Sequence, residues 1–188
     1  MSAFDFITIA VSLILGIGIT QLLTAAIHLI RSRETFRRNG LAFAWAVTIF
    51  FSQLMFWWAS YDLVHLVRTW TLGGFFLLVA GALLLFAAGA MILPSTDANS
   101  QGAGEASLHR ESRHALIPLS LYGMWCIVAN NVFADEPVLT WSNLGLLGMS
   151  MLPLLSLRSR GQFVQWGVVV LYAAIVLIAT LGAATASY

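Results

Sequence analysis

Charged positions along this chain fall in short clusters, and between the clusters run six stretches without a single charged side chain. An α-helix needs roughly 20 mainly apolar residues to cross the hydrocarbon of a bilayer. The pattern therefore predicts six transmembrane helices, over about 6–30, 41–62, 70–94, 114–134, 138–157 and 163–185. The stretch 95–112 is rich in Ser, Gly and Asn with no apolar period, which predicts a flexible linker between two three-span halves. Three is odd, so the halves would have inverted topology, although no residue match between them supports a duplication. The expected fold is an all-α, integral membrane six-helix transmembrane bundle, with 1–188 as a single transmembrane domain.

Composition agrees with that pattern. Charged residues make up 9% and hydrophobic residues 60% of the chain, an inventory from which a water-facing surface cannot be built. The first span is longer than a signal-peptide core and is preceded by Asp5 rather than by basic residues, so it is expected to be retained. Lysine is absent, which excludes lysine Schiff-base chemistry. Cys126 is the only cysteine, so neither an intrachain disulfide nor a thiolate metal cluster can form. With a net charge of +1 and one basic cluster set against a membrane, no nucleic-acid partner is implied.

Arginine marks orientation. Arg31, Arg33, Arg37, Arg38, Arg110, Arg113, Arg158 and Arg160 fall in alternate connections, against Arg68 on the other side. The positive-inside rule places those connections in the cytoplasm and both termini outside. The juxtamembrane run from Arg31 to Arg38, with Arg33 and Arg37 between, also suits anionic lipid headgroups, at about 1 kcal/mol per charge near a negative leaflet.

Candidate chemistry is sparse. In span one, Thr8, Ser12, Gly16, Thr20, Thr24 and His28 recur every fourth residue, a small-residue row that suits close helix packing. Gly81 and Gly89 in span three offer a second such ridge. Gln21 and Gln53 share a depth near mid-bilayer, where an unpaired amide costs several kcal/mol. They are expected to bond each other, Ser52, Thr48 or nearby backbone, or with Thr20 to line a polar path. At the outer face Asp62, His65, Asn130 and Asn131 could form the mouth of that path, since side chains three apart on a helix share a face. His28 and His114 share a level, but a pair at the membrane edge is poorly placed for a b-type haem. No catalytic residue, metal site or cofactor is expected.

The opening FDFITIAVSLILGIGITQLL, with FWW at 56–58 and Asp62, resembles an uncharacterised group of short multi-pass membrane proteins from bacteria. The resemblance implies a bacterial inner-membrane location and brings no activity with it. The residues favour a non-enzymatic channel or carrier subunit for an ion or small polar solute. Small-residue rows on several spans point to a homo-oligomer or to a subunit of a larger membrane complex. Two alternatives stay open: an accessory or assembly subunit, and a membrane redox protein or enzyme.

Overall fold

Long uncharged sequence becomes long helix. The computed structural model describes residues 3–31, 33–67, 70–93, 113–134, 137, 140–159 and 161–185. Its elements are α1 (Ala3–Arg31), the short α2 (Arg33–Arg38), α3 (Gly40–Leu66), α4 (Leu72–Ile92), α5 (Leu116–Ala134), α6 (Trp141–Arg158) and α7 (Gln162–Thr185). The expected linker 95–112 lies outside the described residues, as do Arg68, Arg110, Arg160 and the side chain of Arg38.

Five helices, α1, α3, α4, α5 and α7, are long and apolar enough to cross a bilayer, which marks the chain as a membrane protein. The remaining long helix, α6, is shorter at 18 residues and more polar. Its polar side chains turn inward: Asn143 and Ser150 are fully buried and Ser156 nearly so. Two threonines start helices by capping free backbone donors, Thr71 accepting from Gly74 N at 3.2 Å and Thr140 from Asn143 N at 3.3 Å.

Consecutive long helices run antiparallel. One end of the bundle, called here the upper end, carries Ala3, Leu66, Leu72, Ala134 and Trp141; the other carries Arg31, Gly40, Ile92 and Arg158. α3 is central, packing on α1, α4, α5 and α7, while α6 bridges α5 and α7, and α1 lies in the groove of α3 and α4. At the lower end the Arg113 guanidinium donates to the Leu157 carbonyl, satisfying an acceptor in the last turn of α6.

Packing divides each helix into two faces. On α1, Ile7, Val11, Leu15, Leu22 and Leu29 are buried against α3 and α4, whereas Phe6, Leu13, Ile17 and Ile27 are exposed. Apolar side chains all around a helix are what hydrocarbon surroundings permit and water does not. The lower core is dense: Trp45, Ile49, Leu85, Leu119 and Tyr172 are each no more than 2% exposed, with the Trp45 and Tyr172 rings edge-to-face at 5.3 Å.

Glycine permits two close contacts between helices. A Cβ on Gly81 would lie 2.6 Å from the Trp125 ring and 2.8 Å from Phe56, and one on Gly123 would lie 2.7 Å from the Ser150 backbone nitrogen. The second obstacle is main chain and cannot swing aside. Gly123→Ala is thus expected to push α5 from α6 and destabilise the fold by about 1–3 kcal/mol. Gly145, with open space around it, serves as control. In thermal unfolding of the purified protein, Gly123→Ala should melt clearly earlier than wild type while Gly145→Ala is neutral or slightly stabilising.

Candidate functional site

One face of α5 carries Tyr122, Trp125, Cys126, Ala129, Asn130 and Phe133, positions that recur at three- and four-residue steps and so share a stripe. This stripe forms the main wall of a cavity of about 330 Å³ in the upper half of the bundle. Ser52, Phe56, Ser60 and Leu63 of α3 form the facing wall, with Leu78 of α4, Met149 of α6 and Val176 of α7 closing the sides. Leu63, Ala134 and Ala179 rim it towards the upper end.

Aromatic packing holds the wall in place. Trp125 fills the space left by Gly81, and its indole Nε1 donates to the Leu77 carbonyl at 2.7 Å. Tyr122 and Trp125 stack with ring centroids 5.7 Å apart and 12° between planes. Phe56 completes the group, 6.2 Å from Tyr122 and 5.3 Å from Trp125. Aromatic pairs of this kind contribute about 0.5–1.5 kcal/mol each beyond their buried area.

Most polar groups facing the cavity are already committed. Ser52 Oγ donates to Thr48 O at 3.0 Å and Ser60 Oγ to Phe56 O at 2.8 Å. This back-bonding to the carbonyl four residues earlier leaves a serine presenting mainly carbon. Beneath the cavity, the fully buried Tyr172 hydroxyl has no hydrogen-bond partner among the described residues. Tyr122 and Cys126 lie one turn apart on the same wall.

Near the rim, Asn130 Nδ2 donates to Asn143 Oδ1 at 3.1 Å, and Asn143 Nδ2 donates in turn to the Pro137 carbonyl at 3.0 Å. An amide has two N–H donors and an acceptor oxygen. Asn130 therefore keeps capacity for a ligand while Asn143 fixes its orientation. Below the floor, Trp45, Ile49, Leu119 and Tyr172 fill the bundle.

The residues singled out in the sequence are dispersed. Gln53 is fully buried, donating from Nε2 to Leu85 O at 3.3 Å while its Oε1 has no partner among the described residues. Gly18 and Gly89 make room for it, since a Cβ on either would lie 3.1 or 3.3 Å from Nε2. Thr20 and Gln21 are exposed on α1, and neither is a hydrogen-bond partner of Gln53 among the described residues. Thr20 and Thr24 satisfy their hydroxyls on their own helix, bonding Gly16 O at 2.7 Å and Thr20 O at 2.8 Å.

Of the expected packing ridges, Gly81 and Gly89 are buried at helix contacts, and Ser12 accepts from Trp57 Nε1 at 3.2 Å. Gly16 has open space where a side chain would stand. Asn130 lines the cavity; Asn131 is exposed. The side chains of Asp62 and His65 lie outside the described residues. His28 and His114 are exposed, as are Arg31, Arg33 and Arg37. Among the described residues no three His, Cys, Asp or Glu side chains gather where they could hold a metal.

Tyr122, Cys126 and Met149 line the cavity and Asn143 supports its rim, none of them singled out by the pattern of polar residues. The stripe on α5 was a usable signal; Asn143 had none, because a polar residue one turn into a span reads as a helix end. No protein-family model matches the chain, and neither a curated protein nor a solved structure matches it.

Replacing Asn143 by Leu removes the acceptor for Asn130 and strips the Pro137 carbonyl of its donor. Pro137 is exposed and its carbonyl can turn to solvent, so the expected cost is about 1–3 kcal/mol in all, set by the part-buried Asn130 amide left without its acceptor. Chemical denaturation in micelles should show Asn143→Leu far less stable than Asn131→Leu; equal stabilities would mean that the amide pair does not hold the rim.

Proposed function

We propose that this chain is a carrier or binding module of a bacterial cytoplasmic membrane, and that its cavity takes a small, mostly apolar molecule bearing one hydrogen-bonding group. The observation that carries this reading is the cavity itself, walled by Phe56, Tyr122, Trp125 and Met149 with the Asn130–Asn143 pair at its rim. Small-molecule sites are typically concave and apolar, with a few fixed polar groups that orient the ligand, and they enclose about 300–1,000 Å³.

In this reading α6 also spans the bilayer, as the fifth of six spans along the chain. Its inward-facing Asn143, Ser150 and Ser156 are compatible with a lipid-embedded helix because they face protein. The lower end, which carries Arg31, Arg113 and Arg158, faces the cytoplasm by the positive-inside rule, so both termini and the cavity mouth face outward. An ion or strongly polar solute finds less support. Gln53 is fully buried while Thr20 and Gln21 are exposed, and the packing beneath the cavity floor is filled with ring and aliphatic carbon.

The test is a thermal-stability screen of the purified protein against two sets of compounds, neutral aromatic alcohols, phenols and ketones in one, and inorganic ions and sugars in the other. A ligand at a hundredfold over its Kd stabilises the folded state by about 2.7 kcal/mol. We expect stabilisation from members of the first set, lost in Ala129→Phe, which fills the cavity from the middle of its main wall. Stabilisation confined to ions, or unchanged in Ala129→Phe, would contradict the proposal.

A further inference from the structure

Two cavities in the upper half of the bundle share a wall. Besides the central one, a groove of about 350 Å³ opens on the flank of the bundle between α1 and α3, lined by Val11, Ser12, Trp57 and Tyr61. Ser60 and Leu78 line the groove and the central cavity alike. The partition between them is thus one side chain thick, made of a serine and a single leucine that is 3% exposed.

The chemistry of the groove is that of hydrocarbon. Trp57 spends its indole N–H on Ser12, and Ser60 turns its hydroxyl back onto the Phe56 carbonyl, so neither presents a free donor to a visitor. Trp57 and Tyr61 are exposed on the bundle flank, and α1 and α3 are both helices suited to span a bilayer. What lies against that flank in a membrane is lipid. Exposed Trp and Tyr near a helix end are moreover the side chains that settle at the interfacial level.

We infer that the α1–α3 groove is the bilayer-side entrance to the central cavity, through which a lipid-soluble ligand passes laterally from the outer leaflet, with Leu78 and Ser60 as the partition it must displace. This rests on the reading of the central cavity as a ligand site. It adds the ligand's source and its solubility class: a molecule that partitions into hydrocarbon before it binds. Leu78 can yield by changing rotamer, whereas the α3 and α4 backbones stay packed around Gly81 and Gly89.

Cys126, the only cysteine of the chain, lines the central cavity and reports arrival there. Protein reconstituted in phosphatidylcholine vesicles is exposed either to N-(1-pyrenyl)maleimide dissolved in the bilayer or to a charged, water-soluble methanethiosulfonate. We expect the bilayer-dissolved reagent to label Cys126. Leu78→Ala should speed this labelling about tenfold and Ser60→Trp slow it about tenfold, each the effect of about 1.4 kcal/mol on an access barrier. Leu78→Val, which trims the partition by less, should fall between wild type and Leu78→Ala and guards against loss of fold in the larger change. Labelling by the charged reagent should change little in any variant.

If the charged reagent labels Cys126 and neither partition variant alters the rate of the bilayer-dissolved one, the lateral route is wrong and the cavity is filled from water. If neither reagent reaches Cys126 even in Leu78→Ala, the lateral route and the cavity reading fall together.

Discussion

Trp125 stands where a side chain on residue 81 would otherwise be, and the upper half of the bundle is arranged around that contact. Because Gly81 has no Cβ, the indole can lie against α4 closely enough for its N–H to reach the Leu77 carbonyl at 2.7 Å. In hydrocarbon no water would satisfy that donor, so the bond and the close approach require each other. Tyr122 stacks on the fixed indole and Phe56 closes on both. The α5 face beyond them is thereby held apart from α3 and α7, and the space that remains is the cavity.

Elsewhere the same constraint is met locally. Thr20, Thr24, Thr48, Ser52, Ser60 and Thr180 each donate to the carbonyl four residues back. Such hydroxyls count as polar in a composition table and behave as small apolar groups on a helix surface. Polar groups that reach across helices mark the places where geometry is specified: Gln53 to Leu85, Trp57 to Ser12, Trp125 to Leu77, Ser120 to Ser150, and Asn130 to Asn143.

That distinction explains what could be read from the residues and what could not. Uncharged stretches bounded by arginine and acid clusters were legible as helices because bilayer thickness imposes a length on them. Gln21 was expected near Gln53 because depth can be counted along a helix, but rotation about the helix axis cannot be settled without knowing which face meets a partner. α1 turns Ile7, Val11 and Leu15 inward and Gln21 away. Asn130 was legible as a polar residue inside a span; its partner Asn143, thirteen residues on and past a connection, was not. The aromatic stripe of α5 could have been found by helical spacing, yet its role depended on Gly81 of another helix.

A bundle held open by a glycine–indole contact should contain a dry, apolar space of defined position. Xenon reports such spaces, since it occupies apolar cavities that exclude water. In crystals of the protein pressurised with xenon, the expected result is an anomalous-scattering peak between Phe56, Trp125 and Met149. A peak absent there while Trp125 remains packed on Gly81, or ordered water in its place, would contradict it.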